Sequence, residues 1–506
     1  MLTLRASNPA GNSADDAPPL RIAIQAPGNL DPALLKDHSA NLVARQINEP
    51  LLRFDSTTLG LVPALAEKWQ VHDAGARFVF TLKRGAKFHN GQPVVAEDVR
   101  YSLSRLARKS TQSELAFLLD SVAGFEAVSI TGAAAELAGI SVLNDRDVEI
   151  RLKEPWLDFP YVLTHPATAP VPKKDFEAGP EVFKTAPVGT GPYRLTSAVA
   201  HGQDFAIDAV RPAEHAPHRV QFKIYDDPEG AWRDFNRGLV DVVETPARFV
   251  DDARSRFGPG GFQPVAAGIY LGINVKKIPD IRVRRAIALS INRSAIAEQV
   301  YAGALLPSAN LIPAGIKGRN RTACGDLCKL NPKRAAFLLR ETYGDAPRPA
   351  LTLDFEANPT NDLFAARIKE DLAAAGLTVN LQGRDLPGFF GALGEHNHDL
   401  FRFGWVAEYP LADWFLNPLF RSGSLDNNTG FSSPEIDAAL AAARANSRTT
   451  ARLEAYRDLE RRLLQEVAVV GIGQFRSRWA ASQRVGDFFA DQLGGFDVSR
   501  LDVRAP

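Results

Sequence analysis

Methionine and cysteine are almost missing from this chain. Met1 is the only methionine, and Cys324 and Cys328 are the only cysteines in 506 residues. Cysteines that are few and paired fit an exported protein with one disulfide. Closing the short loop Cys-Gly-Asp-Leu-Cys would stabilise the fold by roughly 2 kcal/mol through chain entropy. A redox or metal pair is the rival reading. Redox motifs usually place two residues between their cysteines, and here three intervene with no histidine beside them.

An excess of either charge is also missing. The chain carries 59 basic and 59 acidic residues, which argues against a nucleic-acid surface built on a basic stripe. No apolar run approaches the roughly 20 residues of a membrane helix. The nearest, Val467 to Ile472, suits a buried strand. Residues 1–19 are polar, without the apolar centre of a signal peptide. They read as a flexible tail, left where a signal was removed and a start codon added, or where the gene is mis-started. No cysteine stands near the N-terminus, so no lipid anchor is legible. Gly-x-Ser-x-Gly, His-Glu-x-x-His and paired-carboxylate motifs are absent too. A secreted hydrolase with a discontinuous site is therefore only the alternative of another class.

What is present is alternation of strands and helices in a chain too long for one ordinary core. Leu20 to Gln25 alternates as a short strand, and Ala40 to Leu52 reads as a helix. Asp145 to Lys153 is another strand. Gly268 to Asn274 is a strand, and Ile281 to Gly303 a helix pair with Asp280 and Asn292 as N-caps. The arginines at 282, 284 and 285 are expected on a solvated helix face. Strand 351–354, helix 361–375 and alternation at Leu377, Val379 and Leu381 make one βαβ unit. Ser433-Pro434 opens a helix with a good cap. Thr450 to Val467 is a long amphipathic helix in which Asp458 and Arg462 are spaced to pair.

The most legible stretch runs from Val62 to Leu106. Phe78, Phe80 and Leu82 alternate with Arg77, Val79, Thr81 and Lys83, the mark of a half-buried strand. Asn90-Gly91 is a tight turn, and Val99, Leu103 and Leu106 recur at helical spacing. Glu97 and Asp98 sit at the positive end of that helix. Ala64-Leu65-Ala66-Glu67-Lys68-Trp69, Lys87-Phe88-His89-Asn90-Gly91 and Ala96-Glu97-Asp98-Val99 resemble, in order, a signature of the peptide/nickel-binding substrate-binding proteins of ABC importers, family 5. That family commonly has Ser or Thr where Val95 stands. Pro187 to Leu195, whose Gly189 and Gly191 are expected to permit a sharp turn, also resembles a family motif. No Lys-Ser/Thr pair follows its glycines, so it is not a phosphate loop.

The resemblance implies an α/β, two-lobed periplasmic-binding-protein fold of type II. Residues 20–50, 180–270 and 476–506 would form lobe I, 51–179 an extra subdomain packed on it, and 271–475 lobe II. Two crossing segments would make the hinge. It further implies an extracytoplasmic solute receptor, monomeric and without a cofactor, in the periplasm or on the outer face of the membrane. Such a receptor binds peptides, not nucleic acid, and delivers them to an ABC permease. A metal complex or haem would be the alternative cargo.

The site is expected in Asp399 to Asp413. Phe401, Phe403 and Trp405 share a strand face, and Gly404 leaves room for another backbone to approach. In peptide receptors of the family, a tryptophan-bearing strand leads to an acid that holds the ligand's α-ammonium. Glu408 takes that place here, with Trp405 as a cleft wall. Tyr409, Trp414, Asn427 and Asn428 are further candidates. Dipeptide receptors place an arginine near the start of the helix matching 361–375 to hold the ligand carboxylate. Ala357 to Asp362 offers no base, which favours oligopeptides over dipeptides. His396 and His398 could share a strand face, but no third metal ligand has a recognisable spacing.

Overall fold

The computed structural model describes residues 18–210 and 215–504. The tail read in the first residues therefore lies almost wholly outside the described part.

Two six-stranded sheets are the centres of the two lobes. The first orders its strands as Trp479–Ala481, Val242–Glu244, Leu20–Ile24, Arg219–Ile224, Phe205–Ala209 and Tyr193–Leu195. Its middle strand Leu20–Ile24 runs parallel to both neighbours and is buried along most of its length. A parallel strand is covered on both faces, so it reads as a nearly continuous apolar run. The second sheet orders Leu305–Pro307, Val469–Arg476, Pro264–Ile273, Leu400–Val406, Leu351–Glu356 and Val379–Arg384. The βαβ unit is there: Leu351–Glu356 lies parallel to Val379–Arg384, with helix Pro359–Ala374 between them.

The chain crosses between these sheets twice, side by side. Outbound it passes Gly261 and Gln263 into strand Pro264–Ile273, and it returns through Ser477 into Trp479–Ala481. Ser477 N–H donates to the Gln263 carbonyl at 2.8 Å, and Gln263 N–H donates to Ser477 Oγ at 3.0 Å. A Cβ on Gly261 would stand 1.9 Å from the Trp479 carbonyl oxygen, so only glycine allows the two segments to lie this close.

A four-stranded antiparallel sheet, ordered Ala66–His72, Arg77–Leu82, Asp147–Arg151 and Ile140–Val142, makes a third body. Phe78, Phe80 and Leu82 are fully buried while the residues between them are half-buried. Helix Ala96–Ala107 covers this sheet. Val95, at its N-cap, has no side-chain acceptor, but the Asp98 carboxylate accepts the Val95 N–H at 3.0 Å. The turn Asn90-Gly91 has Gly91 at φ +87°. Beside it, His89 N–H donates to the Gly189 carbonyl at 2.9 Å and His89 Nε2 stands 3.0 Å from the Gly191 carbonyl. Gly189 and Gly191 do not serve a sharp turn, because neither has a positive φ. A Cβ on them would meet the Ile47 and Gln46 carbonyl oxygens at 1.9 and 2.5 Å. Close approach is what requires glycine there.

Several side chains sit differently from their sequence expectation. Arg284 is not solvated. It is buried and donates to the carbonyls of Ile278, Pro279 and Glu466. Asp458 pairs with Arg461 rather than Arg462, and Arg462 reaches Glu435 on the neighbouring helix at 2.6 Å. The expected caps Asp280, Asn292 and Ser433 all accept an N–H of their helix's first turn. Cys324 and Cys328 are joined in a disulfide with Cα atoms 5.6 Å apart.

The third body touches both lobes. Arg105 holds Asp31 of the first lobe by two bonds of 2.9 and 2.5 Å. Toward the second lobe, Arg452 grips Asp158 by two bonds of 2.8 Å, with both side chains nearly buried. The Leu157 N–H donates to the Arg444 carbonyl at 3.2 Å, and Arg421 reaches Glu154 at 3.2 Å. These contacts join the third body to each of the two lobes.

Candidate functional site

Strand Leu400–Val406 pairs along its length with Pro264–Ile273 and ends at the junction with the third body. Glu408 follows two residues later, with its side chain 26% exposed. Its Oε2 stands 3.1 Å from Nε2 of His165, which is buried. The other ring nitrogen of His165 accepts the Ala167 N–H at 3.1 Å. An accepting Nδ1 places the ring proton on Nε2, so the ring donates to Glu408 as a neutral imidazole. The carboxylate is oriented without being neutralised. Among the described residues no Lys or Arg lies within ion-pair distance of Glu408. His165 stands just before Pro166 to Val171, a Pro-rich stretch that reads as connection. The signal was a potential capping side chain just before a proline.

The other expected residues divide. Trp405 and Trp414 stack with ring centres 5.4 Å apart. Each indole N–H is spent on the backbone: Trp405 donates to the Trp414 carbonyl at 2.9 Å, and Trp414 donates to the Val406 carbonyl at 2.7 Å. Trp414 and Tyr409 line a cavity of about 630 Å³, which Trp405 does not. Trp405, half-buried, packs against Trp414 and does not itself line this cavity. Gly404 is not needed for close approach, since a Cβ there would meet Ile269 at an ordinary 3.7 Å. Asn427 is buried and fully used, donating to the Arg421 and Phe431 carbonyls and accepting from the Thr429 hydroxyl. Its side chain shapes the turn through these protein partners. Asn428 bonds only to the Asp426 carbonyl and receives His398 Nε2 at its own carbonyl, 2.9 Å away. Burial pushes the His398 imidazole below its ordinary range. Among the described residues no three His, Cys, Asp or Glu side chains are grouped to hold a metal.

The 630 Å³ cavity lies between the third body, which contributes Phe117, Asp120 and Trp156, and the second lobe, which contributes Tyr409, Trp414 and Asp426. Its aromatic walls meet across the gap: Phe117 lies 5.5 Å from Trp414, and Trp156 lies 6.1 Å from Tyr409. Arg444 sits over Trp156 at 4.5 Å and is held by Asp413 at 2.7 Å. Burial pushes the Tyr409 phenol well above its ordinary range, with Asp413 adding to it, so this hydroxyl stays protonated.

A second cavity, about 490 Å³, opens at the carboxyl ends of the parallel strands of the first sheet, where α/β sheets bind ligands. His38, Tyr225, Glu244, Thr245, Arg478 and Trp479 line it. The Thr245 hydroxyl is buried without a partner, and His38 stacks on Trp479 at 5.8 Å. Sequence reasoning singled out none of these. They come from four separate segments with no shared motif. A third cavity, about 300 Å³, includes Arg45 and Arg53 already paired with Asp491 and Asp497.

Comparison with known proteins adds a family. The model of the bacterial extracellular solute-binding proteins, family 5, matches residues 60–427. The chain is 28% identical over 467 residues to the probable deoxycholate-binding periplasmic protein YgiS of Escherichia coli, covering 88% of this chain and 86% of that one. It is 28% identical over 498 residues to the periplasmic oligopeptide-binding protein OppA of Salmonella typhimurium, covering 94% and 90%. Among solved structures, HbpA2 from Haemophilus parasuis superposes with a TM-score of 0.83 at 21% identity, covering 96% of this chain and 99% of that one. That likeness speaks for the fold.

Proposed function

The chain belongs to the bacterial extracellular solute-binding proteins of family 5, a family of receptors and not of enzymes, and on that premise we propose that it captures oligopeptides outside the cytoplasmic membrane and hands them to an ABC permease. One observation carries the reading. Glu408 is a carboxylate at the meeting of second lobe and third body, oriented by a neutral His165 and left with its charge uncompensated. An α-ammonium is the natural occupant of such a place, because charge-assisted hydrogen bonds strengthen where water is excluded. The pocket at the first sheet, with its unpartnered Thr245 hydroxyl, gives the main chain of a peptide polar groups to meet on the facing lobe.

Ligand length follows from what the start of helix Pro359–Ala374 offers. Its first turn holds Asp362 and no base, and Asn361 is spent on the Glu356 carbonyl at 2.9 Å. Without a fixed cation for a carboxylate close behind the ammonium, peptides longer than two residues are favoured. An anion such as the bile acid in one relative's name would meet Glu408, Asp120 and Asp426 as like charges. Binding is expected to stabilise the shut arrangement that the permease recognises.

Glu408→Gln tests the reading. Free-amine tetrapeptides are expected to bind roughly tenfold to a hundredfold more weakly to this variant, and N-acetylated ones to be unaffected, by calorimetric titration. Equal losses for both would remove Glu408 from its role.

A further inference from the structure

The cavity between the third body and the second lobe has an asymmetric inventory of charge. Five of its charged side chains are already paired: Glu114 with Lys36 at 2.5 Å, Glu126 and Lys153 with each other at 2.6 Å, Arg421 with Glu154 at 3.2 Å and Arg444 with Asp413 at 2.7 Å. Asp120 and Asp426, one from each wall, have no ion-pair partner among the described residues. Both are solvent-exposed residues on the walls of the cavity. Burial pushes both carboxyls above the usual carboxylate range. Arg444 and Lys153 hold Asp120 back in part, while the charge of Asp120 pushes Asp426 further up.

The same cavity exposes apolar surface on both walls. Leu425 is 92% exposed at its edge, and Ile130 and Phe117 face it from the other side. Trp156, Tyr409 and Trp414 supply aromatic faces, which favour cations. Apolar rim, aromatic wall and two unpaired carboxylates together suit a long aliphatic stem that ends in a positive charge. Tyr409 ties this place to the ammonium site, because it lines the cavity and directly follows Glu408.

We propose that this cavity receives a basic side chain, arginine or lysine, from the N-terminal part of the bound peptide, and that Asp120 and Asp426 together set a preference for cationic peptides. The inference rests on the peptide-receptor reading above. It adds what that reading lacks, a selection among side chains. The cation lies between a carboxylate of each body, so it also bridges the gap as the molecule shuts.

Calorimetric titration of the full chain tests it. The probes are Arg-Ala-Ala-Ala and Ala-Arg-Ala-Ala, each against the same peptide with citrulline in place of arginine. Citrulline keeps the shape and removes the charge. The wild-type protein is expected to bind at least one arginine peptide about tenfold or more tightly than its citrulline twin, as a charge-assisted pair allows. The Asp120→Asn/Asp426→Asn double variant is expected to bind the twins alike, while retaining its affinity for Ala-Ala-Ala-Ala as the check on its fold. Equal affinity of both twin pairs for the wild-type protein overturns the cavity's assignment and leaves the receptor reading standing. Failure of every free-amine peptide to bind overturns both. A preference for arginine that survives in the double variant overturns the role of the two aspartates.

Discussion

Val95 shows how one residue can be half of a motif. Asp98 already closes on the Val95 N–H, but valine returns nothing to the helix's first turn. Val95→Thr keeps the branched shape and adds the missing acceptor. It is expected to stabilise the protein by roughly 1 kcal/mol, read from the midpoint of urea unfolding. At the same scale, Glu408 and His165 act as a unit whose meaning depends on which ring nitrogen carries the proton, and the Ala167 N–H decides that. The role proposed for Glu408 was suggested by its Gly-Trp-x-x-acid context. His165 could not, because its role exists only once a distant strand brings Glu408 to it. Asp120 and Asp426 were invisible for the same reason. Each is an ordinary acid until two bodies close a cavity around both.

Elements were far more legible than contacts. Period-two alternation marked Arg77–Leu82, and cap chemistry marked the starts of Ile281–Ser290 and Pro434–Ala445. Both signals are local, so they survive without knowledge of the neighbours. Tertiary demands overruled the rest. Arg284 reads as surface, yet three carbonyls at the turn before its helix and at the end of another needed a donor. The glycines of Pro187 to Leu195 read as a turn, yet their service is to let Gln46 and Ile47 come near. The Cys324–Cys328 disulfide belongs to this scale, because it ties only its own short loop before helix Pro332–Tyr343. Reduction is expected to add two hydrogens to the intact mass. The Cys324→Ser/Cys328→Ser variant is expected to lose roughly 2 kcal/mol of unfolding free energy, without change in peptide affinity. Lost affinity would instead tie the loop to the site.

For the whole molecule, the question is what holds the bodies together before any cargo arrives. Two segments of chain connect the lobes at Gln263 and Ser477, and the third body adds side-chain contacts with the second lobe. The Arg452–Asp158 pair is the most enclosed of them. Burial pushes the Asp158 carboxyl up, and Arg452 offsets that. Pairs of this kind are poor sources of net stability, but breaking one side costs several kcal/mol while the partner remains enclosed. Parting the bodies rehydrates the partner, so a one-sided change should favour the parted form. Asp158→Asn is therefore expected to raise the association and dissociation rates of a peptide together, by stopped-flow fluorescence of the tryptophans beside the cavity, with a smaller change in their ratio. Unaltered rates would show that the clasp lies outside this pair. If it does act as the clasp, uptake is metered by how often an empty receptor gapes, and its speed at high peptide concentration will level off at that frequency whatever the cargo.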